Sequence, residues 1–178
     1  YPFLCFSIWR IIIYKPLFFC IFMKKGINWK VLIASLVIVF AISIIGSLFT
    51  SGNTNSSWYL ENKPSFTPPS IVFPIVWPIL YFLIALSLYF TWIKAKKSEK
   101  MKVATIFGIN LIANALWSYL FFGIKNPLLS FIDIIIILAT IVGMIFVAGR
   151  IDRKAGWLLV PYLIWVTFAT ILNLAFVI

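Results

Sequence analysis

Acid–base chemistry is nearly absent from these 178 residues: there is no histidine, and the four carboxylates are Glu61, Glu99, Asp133 and Asp152. Metal cages, carboxylate dyads and serine–histidine–aspartate arrangements are excluded on inventory. Both cysteines, Cys5 and Cys20, fall in the first 22 residues, so the rest of the chain has neither thiol chemistry nor a disulfide framework. What the sequence does offer is rings and amides at helical spacing. Asn110, Asn114, Trp117 and Phe121 recur at steps of four, three and four, which at about 100° per residue puts them on one stripe. Tyr162, Trp165, Ala169 and Asn173 form a second stripe, and Phe73, Trp77 and Tyr81 a third. Three stripes of large rings with amides suggest a lined cavity. The competing reading is packing, since Asn bonds between helices in lipid and Trp and Tyr mark the interfacial belt. Trp77 and Trp165 lie nearer the middle of their apolar runs than a belt requires, which favours a lined ligand pocket.

The elements that must hold these stripes are membrane spans. The chain is 63% apolar and 11% charged, with a mean hydropathy of +1.10, against about 45–50% and about 25% in soluble domains. Five apolar runs of the length that crosses a bilayer cover residues 31–50, 71–93, 103–122, 127–149 and 155–177. The expectation is an all-α integral membrane protein, a five-transmembrane-helix bundle over residues 23–178. The joint at 51–70, rich in Ser, Asn, Thr and Pro, is a loop, and the other joints are tight turns. Residues 1–22, interrupted by Arg10, Lys15 and Pro16, are read as an N-terminal extension that is non-native or poorly ordered, with Met23 as the natural start. Asp133 lies within the fourth run. It is either a functional intramembrane acid or a group that reaches the interface or caps a neighbouring backbone.

Positive charge sorts to one side. Counted from Met23, eleven Lys and Arg residues fall before the first run, between the second and third, and between the fourth and fifth, against Lys63 and Lys125 on the other side. The positive-inside rule then places the N-terminus in the cytoplasm and the C-terminus outside, in the plasma membrane of a bacterium. The net charge of +11 reports topology and attraction to anionic lipid headgroups. A nucleic-acid partner is excluded, because no basic domain stands outside the membrane.

The segments WY, KPSFTPP, VFPIVWPILYFLIALSLYFTW, NLIANALWSYLFFG and WLLVPYLIWVTFATILN, in this order, resemble the tryptophan-rich sensory protein family, also called the translocator protein or peripheral benzodiazepine receptor family. The likeness runs from about Gly46 to Asn173. Phe66 stands where the family's pattern has Trp, and the loop between Tyr59 and Pro64 is one residue short. The resemblance implies five packed helices, commonly a homodimer, enclosing a pocket under the first loop that binds porphyrins and hydrophobic drug-like molecules, with porphyrin as ligand rather than cofactor. Carried over by position, the ligand-binding residues are Trp58, Pro68, Trp77, Tyr81, Asn110, Asn114, Trp117, Trp165 and Ala169. Pro64, Pro68 and Pro69 stiffen the loop as a lid. Two functions remain open: a receptor or sensor that binds and passes on porphyrins, and an enzyme that degrades porphyrin in light with Trp77 and Trp165 as the reactive groups. The sterol-recognition pattern is incomplete, with Leu174 in the place of its Tyr, so sterol binding is not expected. The small surface of Gly108, Ile112 and Ala115, opposite Asn110 and Asn114, is the expected dimer face.

Overall fold

Asn28 starts the first helix by accepting a hydrogen bond from the Val31 amide at 3.2 Å, satisfying one of the donors that a helix start leaves over. The computed structural model describes residues 26–178, so the expected extension at 1–22 and the start at Met23 lie outside the described residues. Seven α-helices follow among them: α1 (Trp29–Thr50), α2 (Ser57–Asn62), α3 (Val72–Lys94), α4 (Lys97–Ser118), α5 (Pro127–Ile151), α6 (Arg153–Trp157) and α7 (Val160–Leu174). Among the described residues, five stretches are long and apolar enough to cross a membrane: α1 with the turn after it, α3, α4 with its last turn, α5, and α6 with α7. The architecture is all-helical, with the five spans where the apolar runs predict them.

The joints depart from expectation in instructive ways. The loop after α1 contains a 3-10 turn (Asn53–Asn55) and then α2, a helix made possible by Ser56, whose hydroxyl accepts from the Tyr59 amide at 3.3 Å. At the end of α4 the chain widens into a π-turn, Tyr119–Gly123, closed by the Ile124 amide on the Tyr119 carbonyl at 3.0 Å. The fifth span is two helices, with the break at Leu158 and Leu159. Pro161 explains it: without an N–H the ring cannot continue a preceding helix, but it fits the first turn of a new one. Pro78, by contrast, sits inside α3, which continues around it from Val72 to Lys94.

Packing follows small residues and one buried charge. A Cβ on Gly46 of α1 would lie 3.3 Å from the Ser118 hydroxyl and 3.8 Å from the Ala115 Cα of α4, so the two helices meet there. Ala115 is thus under α1 and not on a free face; Gly108 has open space beside it and Ile112 is 64% exposed. A Cβ on Gly156 would stand 2.9 Å from the Gly149 Cα, which lets α6 turn back against the end of α5. Asp152, the single residue between them, accepts from the Lys154 amide at 3.2 Å and pairs with Lys94 of α3 at 2.7 Å. Ser87 of α3 donates to the Ala155 carbonyl at 2.9 Å, so this end of the bundle is tied at several points. Against it, α3 and α7 touch only sparsely at the other end, and there a space opens.

Candidate ligand site

The space between α3, α4 and α7 is walled by the three aromatic stripes. Phe73, Trp77 and Tyr81 come from α3, Asn114 and Trp117 from α4, and Trp165, Ala169 and Asn173 from α7. One helical period places each set on a single face, and the faces converge because the residues behind them are the bundle core. Trp77 lies over Tyr81 with ring centroids 5.4 Å apart and planes 29° from parallel. Trp165 meets Phe73 edge-on at 5.9 Å. The centres of water-sized molecules can reach about 150 Å³, and the whole atom-free space, counting the open mouth, is about 920 Å³. A smaller adjoining space of about 20 Å³ extends inward to Ile134 and Ile137 of α5.

The π-turn completes the far wall. Its extra residue turns both Phe121 and Phe122 inward, where they are buried. Phe121 stacks on Trp117 at 5.0 Å and 15°. Above them α2 brings Tyr59 to the cavity and Trp58 to its roof. Trp58 stacks on Phe176 at 6.0 Å and meets Phe121 edge-on at 5.6 Å, while Tyr59 stacks on Phe176 at 5.8 Å. The loop and the segment after α7 thereby close on each other. Burial raises the Tyr59 phenol above its ordinary pKa, so it stays neutral.

Polar groups around the cavity are mostly committed to one another. The Tyr81 hydroxyl donates to Asn114 Oδ1; Asn114 Nδ2 donates to the Tyr162 hydroxyl at 3.0 Å; Tyr162 donates to Asn110 Oδ1 at 3.2 Å. Asn110 Nδ2 then donates to Thr140 Oγ1 at 2.8 Å, and Thr140 donates to the Ile136 and Ile137 carbonyls at 2.9 and 2.8 Å. A second tie runs from the Trp117 indole to Asn173 Oδ1 at 2.9 Å, and from Asn173 Nδ2 to the Pro127 carbonyl at 3.0 Å. Trp165 differs. Its indole N–H is enclosed and has no hydrogen-bond partner among the described residues, leaving one unpaired donor in the wall.

Of the residues predicted for the site, Trp77, Tyr81, Asn114, Trp117, Trp165 and Ala169 line the cavity. Trp58 sits one layer out, in the roof, and Pro68 lies half-buried in the loop without touching the cavity. Asn110 is 0% exposed and is spent on Tyr162, Thr140 and the Ile137 carbonyl. The structure adds Tyr59, Phe122 and Phe176, together with Gly46, Ser47 and Thr50 of α1. Tyr59 was findable as the neighbour of Trp58. Phe122 was not, because a regular helix would have turned it away from the Asn114 stripe.

The comparison with known proteins bears on the same elements. Residues 34–178 match the model of the TspO/MBR family. The chain belongs to that family. It is 42% identical over 146 residues to the tryptophan-rich protein TspO of Archaeoglobus fulgidus, covering 81% of this chain and 93% of the relative. It is 30% identical to the tryptophan-rich sensory protein of Cereibacter sphaeroides, over 83% of this chain and 90% of that one. The translocator protein of Homo sapiens is 29% identical over 72% of this chain and 78% of its own length. With five spans and this family, the protein is an integral membrane protein, and the cavity lies within the region shared with its relatives.

Proposed function

We propose that this protein is a membrane receptor or sensor that takes porphyrins and other hydrophobic, drug-like aromatic molecules into the cavity beneath α2, and passes them on. The observation that carries this reading is an aromatic slot walled by Trp77 and Trp165, with Tyr59 and Phe176 closing over it. A flat π-system gains stacking from such walls. The enclosed part of the space suits an aromatic fragment, so a full tetrapyrrole occupies the mouth as well and displaces α2. The names of two relatives, a sensory protein and a translocator protein, agree with uptake and signalling of a small molecule.

A second reading is favoured by the same two rings: light-driven degradation of a bound porphyrin, with Trp77 and Trp165 placed at the ligand as reactive groups. One experiment separates the two. The purified protein is titrated with protoporphyrin in the dark and then illuminated. Saturable binding with stable absorption bands supports the receptor; bleaching that requires the protein supports the enzyme; absence of saturable binding rejects both. The proposed setting is a bacterial plasma membrane, with the ends of α3 and α5 that carry Lys94 and Arg150 in the cytoplasm. The proposed assembly is a homodimer through the Gly108 and Ile112 side of α4.

A further inference from the structure

Among the described residues, Asp133 is the one carboxylate in the interior of a spanning helix. It stands six residues after Pro127, about 9 Å along the axis at 1.5 Å per residue. It caps no backbone: the residue is 5% exposed, and Oδ2 is enclosed with no hydrogen-bond partner. No cation compensates for it. The ion pair found among the described residues joins Lys94 to Asp152, toward the other end of α5.

The surrounding elements bring no charge either. From α7 comes Tyr162, close enough to interact electrostatically with Asp133, its neutral phenol engaged with Asn110 and Asn114. Tyr81 of α3 is likewise a neutral phenol, hydrogen-bonded to Asn114. The lysines of α4, Lys97, Lys100 and Lys102, occupy its opposite end. Arg150, Arg153 and Lys154 are some five turns away along α5 or on α6. Lys125, before α5, is exposed, as is Tyr119 of the π-turn.

A buried carboxylate with one oxygen enclosed and neither cation nor donor beside it is disfavoured so strongly that the group takes up a proton instead. We propose that Asp133 is an intramembrane proton-binding site, neutral and protonated at physiological pH. Releasing that proton requires water or a cation to enter between the packed helices. The proton therefore reports, and is linked to, any rearrangement that opens α5. The inference concerns the ligand-free protein and stands apart from the porphyrin reading.

Infrared spectra of the protein in lipid nanodiscs, without ligand, test it. At neutral pH a carbonyl stretch of a protonated carboxyl group is expected; it shifts in heavy water, disappears in Asp133→Asn, and persists in Glu61→Gln. Asp133→Glu keeps the acid while moving the band, which assigns it without depending on how well the amide variant folds. A spectrum with no protonated carboxyl at neutral pH, or a band that is unchanged in both Asp133→Asn and Asp133→Glu, overturns the proposal.

Discussion

Trp165 and Asn110 show how two residues of similar promise in a sequence divide their work in space. Trp165 faces the cavity with its ring, so Trp165→Ala is expected to weaken protoporphyrin binding about two- to tenfold, from about 0.5–1.5 kcal/mol of lost stacking. Trp77→Ala should do the same, Trp165→Phe should cost less because a ring remains, and Ile136→Ala on the exposed side of α5 should leave the titration unchanged. If both alanine variants bind as tightly as the unmodified protein, the rings are packing residues. Asn110 is spent on its neighbours. Its replacement by Ala is expected to lower stability by about 1 kcal/mol, read as an earlier thermal transition in detergent, with a similar loss whether or not a ligand carries polar groups. Spacing alone could not separate these roles. It places Asn110 and Asn114 on one stripe, but only the arrival of Tyr162 from α7 decides which amide is covered.

At the scale of the element, legibility follows how local each cause is. Spans are readable because the bilayer demands about 20 apolar residues in a row, and most ends moved by three residues or fewer between expectation and structure, while α4 starts six residues before the expected run, at Lys97. The break before α7 has a local cause in Pro161, visible in the sequence yet easily lost inside a long apolar run. The π-turn has no such mark, since its wide hydrogen bond is stabilised by where Phe121 and Phe122 pack. Helix α2 hides in a polar joint because its apolar residues are only Trp58, Tyr59 and Leu60. The glycine pair supplies a test at this scale. A methyl on Gly156 meets the Gly149 backbone, whereas one on Gly149 meets open space. Gly156→Ala should therefore destabilise the protein by about 1–3 kcal/mol through overpacking, and Gly149→Ala should be close to neutral. Equal thermal shifts for the two would show that α6 does not turn so tightly on α5. Phe176→Ala should loosen the roof, since Trp58 and Tyr59 both stack on that ring, and faster ligand exchange in stopped-flow fluorescence is the expected result.

For the whole molecule, charge asymmetry and symmetry of assembly make the predictions. A reporter fused after Ile178 is expected to be active only outside the cytoplasm, and a cytoplasmic signal would contradict the proposed orientation. Gly108→Leu fills open space on the outer side of α4 and should shift the population in detergent toward monomer; an unchanged dimer would put the interface elsewhere. The hydrogen-bonded series from Tyr81 to Thr140 is also a property of the whole, because it joins α3, α4, α7 and α5. Every hydrogen in it points the same way, away from α3 and toward the α5 backbone. Reversing one link would require turning both amides round, and Asn110 resists, because its Nδ2 also donates to the Ile137 carbonyl at 3.3 Å, which has no hydrogen to return. The series is therefore polarised, and its open end is the Tyr81 oxygen with lone pairs and no hydrogen to spare. A guest reaching that oxygen must itself be the donor, so the α3 wall of the cavity favours the end of a guest that has a hydrogen to give.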